Sequence, residues 1–204
     1  MRTIRIIEHI SLDGVIQGPG GPEEDPTNGF AHGGWAFLHH DVPGGEAIDN
    51  AQGAGFDLLL GRKTYDIFAG HWPHQSGPMA DSLNAARKYV VTHRPETLDW
   101  GPVEALDADL AAGIRTVKAG NGADLIVWGS STITPLLVAA GLADEVVLLV
   151  FPVFIGHGKR FFSEAVDPTE LVLVDSKATQ SGVTIGTYRP AGRMRTGSFA
   201  EVSA

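Results

Sequence analysis

The chain of 204 residues has no cysteine, fewer basic than acidic side chains, and no long uninterrupted apolar run. Without cysteine, disulfides, thiolate zinc sites, cysteine-held iron–sulfur clusters and cysteine nucleophiles are excluded. A formal net charge of -9 argues against nucleic acid as a partner, because phosphate backbones select basic surfaces. The longest apolar candidate, residues 146–155, is interrupted by Pro152, so no membrane span is expected.

The first residues, M-R-T-I-R-I-I-E-H, reach a glutamate too early for the apolar core of a signal peptide. We therefore expect a soluble, cytoplasmic protein. Hydrophobic residues make up 43% of the chain, enough for one well-packed domain. We assign this domain to residues 1–190 and expect a flexible polar tail over residues 191–204.

Apolar strand patterns alternate with helical patterns along most of the chain, which predicts an α/β sandwich with a mostly parallel mixed sheet. A C-terminal antiparallel hairpin is expected to complete the sheet. Residues 17–34 are rich in glycine, proline and acids and predict a long irregular loop. The predicted strands are 4–10, 56–60, 88–92, 103–106, 124–128, 145–151, 171–177 and 183–188, and the predicted helices are 45–53, 62–68, 79–86, 109–118 (after Asp107 as N-cap) and 132–140.

Two strands run into a glycine and then open a helix. One continues into Gly129, Ser130, Ser131 and Thr132, and the other into G-R-K-T-Y, with Gly61, Arg62 and Thr64. A turn of this kind directs backbone N–H groups and the positive end of the helix dipole outward, which suits a phosphate. Two such turns predict a ligand with two phosphates, such as a dinucleotide. The alternative is two ordinary strand–helix turns with solvated cations.

Several motifs together resemble one family over residues 2–190. G-R-K-T-Y, V-V-T-H-R and W-G-S-S-T resemble nucleotide-contact segments of the dihydrofolate reductase fold. S-L-D-G and V-F-P-V-F-I-G-H-G-K-R-F-F resemble the reductase domain of the bifunctional riboflavin-biosynthesis deaminase/reductase and its single-domain relatives. The deaminase half needs a cysteine-containing zinc site, so only a reductase half is expected here.

The resemblance implies a dihydrofolate reductase-like three-layer sandwich and an NADPH-dependent oxidoreductase. By this resemblance the activity would be that of a 5-amino-6-(5-phosphoribosylamino)uracil reductase, although the loop after S-L-D-G lacks the basic residues expected to hold a ribose phosphate. In such a fold the end of the third strand meets the adenosine ribose. Thr92 and Arg94 stand there and suit a 2′-phosphate, so we expect NADPH rather than NADH. The alternative is an ordinary loop after the strand.

Three residues are candidates for substrate contact. The resemblance places Asp13 of S-L-D-G in a loop over the nicotinamide, where it is the predicted catalytic residue; its alternative role is a turn residue that caps its own backbone. Trp35 could stack on a flat heterocycle or simply anchor the loop. Asp49 lies near the position of the buried acid of dihydrofolate reductases, although a solvated helical aspartate is the favoured interpretation.

The histidines of His39-His40-Asp41 and His71-Trp72-Pro73-His74 raise the possibility of a metal site. Adjacent histidines point apart in regular structure, and Pro73 keeps the second pair off one helical face, so no metal is expected. The resemblance also implies a homodimer that uses sheet edges and the loop 156–160.

Two alternatives to this reductase remain. The first is a dihydrofolate or other pterin reductase, which predicts tight antifolate binding to a buried carboxylate such as Asp49. The second is a nucleotide-binding protein that keeps the fold without turnover.

Overall fold

The computed structural model describes residues 1–106, 110–162 and 167–199, which build one eight-stranded sheet with helices on both faces. The strands are β1 (Ile4–Ser11), β2 (Phe56–Gly61), β3 (Lys88–Val91), β4 (Val103–Leu106), β5 (Asp124–Trp128), β6 (Glu145–Phe151), β7 (Thr169–Ala178) and β8 (Thr184–Arg193). The helices are α1 (Val42–Gln52), α2 (Arg62–His71), α3 (Pro78–Ala85), α4 (Leu110–Ala119) and α5 (Ile133–Ala139).

The strand order is β4-β3-β2-β5-β1-β6-β8-β7, and β8 runs antiparallel to both of its neighbours. The pairs among β1 to β6 are parallel. The predicted mixed sheet with its C-terminal hairpin is therefore confirmed. Parallel strands end at a common edge, so the segments that follow β1, β2, β3, β5 and β6 meet there, where open α/β sheets bind ligands.

Side-chain alternation along the strands produces the three layers. In β2, Leu58 and Leu60 face a cluster that includes Tyr65 of α2, together with residues of α1 and α3. Leu59 faces the opposite cluster, which includes Ile114 of α4 and residues of α5. Both faces of the central strands are buried, as expected where helices cover a parallel sheet on both sides.

Most predicted boundaries differ from the observed ones by one to five residues, and two of these differences have a clear physical cause. Strand β8 continues to Arg193, whose backbone pairs with Thr169, so residues 191–193 are part of the sheet and their assignment to the tail was wrong. Backbone pairing at an exposed edge needs no apolar side chain, and the polar sequence therefore concealed it. Helix α1 begins at Val42, because Asp41 caps it through a 2.9 Å bond from Gly44 N. The N-cap predicted at Asp107 lies outside the described residues.

The glycine- and proline-rich loop is fixed by two buried polar residues. The Gln17 amide donates to the carbonyl oxygens of Asp25 (2.9 Å) and Thr27 (3.0 Å), and its oxygen accepts from Lys159 N at 2.9 Å. The Asp25 carboxylate pairs with Lys159 and also lies 3.7 Å from Lys63. The loop is thus tied both to α2 and to the segment after β6.

In the ranges that the structure describes, no helix combines the length and the apolar character needed to cross a bilayer.

Candidate active site

The two glycine turns meet at the carboxyl edge of the sheet. A Cβ added to Gly61 would overlap Ser130 Oγ, and a Cβ added to Gly129 would lie 3.6 Å from Thr64 Oγ1. Strands β2 and β5 are adjacent, which brings the turns together. The sequence predicted two similar turns, and the structure joins them into one continuous surface.

The turn after β5 has an unusual backbone. Gly129 and Ser130 both adopt the left-handed region, with φ of 57° and 75°. Ser130 is held there by its carbonyl oxygen, which accepts from Ile133 N (3.1 Å) and Thr134 N (3.0 Å) at the start of α5. The Thr134 hydroxyl donates to Gly129 O at 2.9 Å. Ser131 is partly exposed and Thr132 exposed, so these two hydroxyl residues lie at the surface of the turn.

The turn after β2 opens α2, whose N-cap Gly61 supplies no side chain to cap the first backbone N–H groups. Arg62 turns away toward the end of β3: its Nη1 donates to Arg94 O (2.9 Å) and Thr92 Oγ1 (3.4 Å). Its Nε donates to Asp66 at 2.8 Å, and Asp66 also lies 3.9 Å from Arg94 Nη2. Arg62, Thr92 and Arg94 therefore form one basic cluster at the end of β3. The sequence predicted that Arg62 would contact the pyrophosphate, and its side chain instead lies in this cluster.

Asp13 is a fixed carboxylate. It accepts from Ser11 Oγ (2.7 Å), Ile155 N (3.1 Å) and Gly156 N (2.7 Å), and Arg160 donates to its backbone oxygen. The Ser11 hydroxyl contributes most, and together with the backbone N–H groups of Ile155 and Gly156 it outweighs the opposing desolvation and lowers the pKa of Asp13 to about 2. A carboxylate ionised throughout the neutral range is a poor proton donor. Its contacts join the loop after β1 to the loop after β6.

The other two substrate candidates have different surroundings. Trp35 donates from Nε1 to Gln17 O at 2.8 Å and meets Phe151 edge-on at 5.3 Å, so it anchors the loop while it borders the end of β6. Asp49 is exposed on α1. Its position favours the solvated helical interpretation over a buried substrate-binding acid.

Sequence reasoning missed a pair of aromatic rings on β1 and β5. His9 stacks on Trp128 with ring centroids 5.8 Å apart and an interplanar angle of 20°, and Phe151 lies 5.3 Å from His9. Burial, then the neighbouring His40, lowers the pKa of His9 to about 4, so its imidazole is neutral at pH 7. The available signal was E-H inside an otherwise apolar strand, since polar residues are uncommon in fully covered strands.

Asp41, in the segment with the paired histidines, has a structural role as the α1 cap and also accepts from Ser181 N at 3.2 Å. Desolvation raises the pKa of Asp41, but the hydrogen bonds that its carboxylate accepts from Gly44 N, from Ser181 and from the Thr179 side chain outweigh this effect and lower the pKa to about 2. Within the described part of the chain, no cluster of three or more histidine, aspartate or glutamate side chains is arranged to hold a metal ion.

The fold is that of dihydrofolate reductase. Dihydrofolate reductase of Enterococcus faecalis, in a complex with NADP(H) and RAB-propyl, superposes with a TM-score of 0.58 at 17% identity, covering 93% of this chain and 96% of its own. A pyrimidine reductase-like protein from Corynebacterium diphtheriae superposes with a TM-score of 0.63 at 12% identity, covering 96% and 93%. At these identities the similarity concerns the fold.

The chain belongs to the RibD C-terminal domain family, whose model matches residues 2–185. It is also 25% identical over 183 residues to the protein YyaP of Bacillus subtilis (strain 168), which covers 85% of this chain and 87% of YyaP. The resemblance drawn from the sequence motifs is therefore confirmed, and a reductase of this family is the class to which fold and family point.

Proposed function

We propose that the protein is an NADPH-dependent reductase of a small, flat heterocycle. The observation that carries this proposal is the contact between Gly61 and Ser130, which joins two glycine turns into one surface that a Cβ would obstruct. Such a close backbone approach suits a pyrophosphate that must reach N–H groups of both turns. Gly61, Thr64, Gly129, Ser130, Ser131 and Thr132 would hold it.

The basic cluster supports the choice of NADPH over NADH. Arg62 and Arg94 together carry two positive charges against the one carboxylate of Asp66, and Thr92 adds a hydroxyl that is held in place. A guanidinium group is suited to bidentate contact with a phosphate. Arg94, whose side chain is 62% exposed, is the residue best able to reach a 2′-phosphate.

NADPH, when bound, supplies a hydride from C4 of its nicotinamide to an electrophilic C=N or C=O carbon of the substrate. The chain's own residues contribute position and exclusion of water. Asp13 fixes the loop after β1 against Ile155 and Gly156. Trp35 anchors the glycine- and proline-rich loop beside the carboxyl edge of the sheet. Because the pKa of Asp13 is about 2, we propose a positioning role for it in place of proton delivery.

The substrate that the resemblance implies carries a ribose phosphate, and the loop electrostatics disfavour that group. Lys63 and Lys159, the lysines nearest the loop, are both paired with Asp25. Glu24, in the same loop, occupies the backbone N–H groups of Gly20 and Gly21. We therefore propose a heterocycle without a phosphate in this loop. An exposed Asp49 also gives no support to a pterin reductase of the antifolate-binding type.

We further propose a homodimer and a cytoplasmic location, and the net charge of -9 argues against nucleic acid as the main partner. Strand β7 is one of the two edge strands of the sheet, and its residues Leu171 to Val174 are each 45–56% exposed. An apolar edge strand of this length invites pairing with another strand, and a second copy of the chain would cover it.

The test is a titration of the purified protein with NADPH and NADH, followed by thermal unfolding and by nicotinamide fluorescence. Binding to the folded state stabilises it by about 2.7 kcal/mol at a ligand concentration of 100 Kd. The unfolding temperature therefore rises. We expect a clear response to NADPH and a weaker one to NADH. Absence of any response would mean that the glycine turns are structural and would refute the proposal.

A further inference from the structure

A cavity of about 460 Å³ lies at the amino edge of the sheet, where the parallel strands begin. Strands β1 and β6 start there, and β8, which runs antiparallel to β6, brings Arg189 to the same edge. The volume is within the range of small-molecule pockets, about 300–1,000 Å³. Open α/β sheets bind their ligands at the carboxyl edge, so the proposed cofactor site does not account for this cavity.

Positive side chains predominate in the lining of the cavity, although the whole chain has a net charge of -9. They come from the segment before β1, from β1 itself, from α4 and from β8. A cleft in which one sign of charge predominates attracts counter-ions, so the ligand class to consider is an anion. The charged side chains of the lining are Arg2, Arg5, Lys118, Arg189, Asp144 and Glu145.

Two of these cations are engaged by the protein itself. Arg2 pairs with Asp57, and its Nε donates to Ala123 O at 2.5 Å. Lys118 pairs with Asp144, and its Nζ donates to Leu142 O at 2.7 Å. These side chains shape the cavity, and their charges are balanced one to one.

The other two cations, Arg5 and Arg189, share the carboxylate of Glu145. Glu145 lies opposite Arg5 in the β1–β6 register, and Arg5 Nε donates to its Oε1 at 2.6 Å. Arg189 donates to Oε2 from Nε (3.2 Å) and from Nη2 (3.1 Å). Two guanidinium groups and one carboxylate leave one positive charge without an ion pair among the residues that the structure describes.

Both guanidinium groups also keep N–H groups that this triad does not use. Arg5 Nη1 donates to Ala51 O at 2.5 Å, but Arg5 Nη2 and Arg189 Nη1 donate to no group in residues 1–106, 110–162 and 167–199. The Arg5 side chain is 21% exposed and that of Arg189 is 62% exposed, so neither is sealed off from the cavity that both line. The planar guanidinium fork suits phosphate and carboxylate groups.

We propose that this cavity binds the phosphate or carboxylate group of a small anionic molecule between Arg5 and Arg189. One oxyanion accepts from the unused N–H groups of both side chains and supplies the missing negative charge. The site lies at the edge of the sheet opposite the glycine turns, so its occupant is a second ligand and not a part of the proposed cofactor. The inference does not depend on the proposed reductase function.

The test is a calorimetric titration of the full chain with citrate and with pyrophosphate, each at constant ionic strength. The two probes separate a carboxylate ligand from a phosphate ligand, and we expect at least one of them to bind. Arg189→Gln should weaken that binding about tenfold, as expected for the loss of a charge-assisted hydrogen bond. Arg193→Gln removes the same charge from an exposed position further along β8 and should leave the affinity within about twofold.

Glu145→Gln tests the proposal in the opposite direction. Without the shared carboxylate, both guanidinium groups lack a counter-charge, so the anion should bind about tenfold more tightly and raise the unfolding temperature more than in the unchanged protein. A triad that only joins β1, β6 and β8 would lose stability in this variant with no gain in anion affinity. If Glu145→Gln does not fold, Arg189→Gln remains decisive, because that side chain is mostly exposed.

The glycine turns could also attract pyrophosphate, and Arg94→Ala distinguishes the two sites. Anion binding that is lost with Arg94→Ala and kept with Arg189→Gln would place the anion at the cofactor surface and overturn the proposal. Failure of both citrate and pyrophosphate to bind the unchanged protein would overturn it as well. The affinity of Arg189→Gln for NADPH should stay within about twofold, because the glycine turns lie at the other edge.

Discussion

Gly61 and Ser130 lie so close together that a single Cβ on Gly61 would overlap the Ser130 hydroxyl. The two residues belong to different strand–helix turns, on β2 and β5, which are neighbours in the sheet. This contact makes the two turns one unit. A substitution in one turn should therefore alter the backbone of the other turn and the affinity for a ligand that binds both.

Gly61→Ala should disturb both turns at once. The added methyl group would displace Ser130 and should cost about 1–3 kcal/mol of unfolding free energy, as over-packing usually does. NADPH affinity should fall with it. Urea unfolding and nicotinamide fluorescence measure the two effects.

Gly70→Ala is the matched control for this change. Gly70 is exposed on α2, and a Cβ there would meet nothing within 4 Å. The control should raise stability by roughly 0.5–1 kcal/mol, because glycine is unfavourable inside a helix. If Gly61→Ala behaves like Gly70→Ala, the contact does not constrain the turns.

Arg94→Ala should reduce the preference for NADPH over NADH. A charge-assisted contact with a 2′-phosphate is worth about 1.5–3 kcal/mol, so the affinity for NADPH should fall roughly 10- to 100-fold. Affinity for NADH should change little, because that cofactor has no phosphate there. Arg193→Ala, at the end of β8 on the far side of the sheet, is the control. Equal losses for both cofactors would contradict a 2′-phosphate role.

Asp13→Asn should weaken the connection between the loops after β1 and β6. The amide cannot accept from both Ile155 N and Gly156 N while Ser11 also donates, so stability should fall by about 1–2 kcal/mol. Asp175→Asn, exposed on β7, should have no comparable effect.

The pH dependence of turnover distinguishes a positioning role for Asp13 from proton delivery. Since its pKa is about 2, the group stays ionised above pH 4, and Asp13→Asn should not remove any titration step between pH 5 and 9. Loss of such a step would show that Asp13 delivers a proton after all. The lowered pKa also means that its contribution to stability is present above about pH 3.9 and is lost as pH falls toward 2.

His9 should make the protein sensitive to mild acid. Its folded pKa of about 4 lies below the ordinary value of 6.5, so the unfolded chain binds the proton more readily between these values. The free energy of unfolding should therefore fall as pH decreases from 6.5 to 4, by on the order of 1–3 kcal/mol.

Comparison with His9→Phe isolates this contribution. Burial raises the pKa of Glu8 on the same strand, which acts in the opposite direction, but Glu8 is present in both proteins and cancels in the difference. Urea unfolding at a series of pH values measures it. Parallel stability curves for the two proteins would show that His9 is not the titrating group.

Val172→Lys should dissociate the proposed dimer. Val172 is 56% exposed on the edge strand β7, and a charge on an edge opposes strand pairing. Light scattering after size-exclusion chromatography should show a dimer for the unchanged protein and a monomer for the variant. Val42→Lys, at a 75% exposed valine of α1, is the control. A dimer that survives Val172→Lys would exclude β7 as the interface.

The order and type of the elements were predictable because burial on both faces of a parallel sheet leaves a strong local signal. Strands β4, β5 and β6 have the predicted bounds. Predictions were poorest where local hydrophobicity carries no information. The end of β8 depends on backbone pairing with a neighbour, and the start of α1 on the Asp41 cap.

For the candidate site, the sequence by itself determined which turns could approach a phosphate, since glycine after a strand is a local property of the chain. Only the tertiary structure decided which residues meet. It brought Gly61 against Ser130, turned Arg62 toward Thr92 and Arg94, and fixed Asp13 to the loop after β6. It also stacked His9 on Trp128, residues separated by most of the chain. Contacts of this kind follow from strand order and register, which are set by packing of the whole sheet and leave no trace in any short segment.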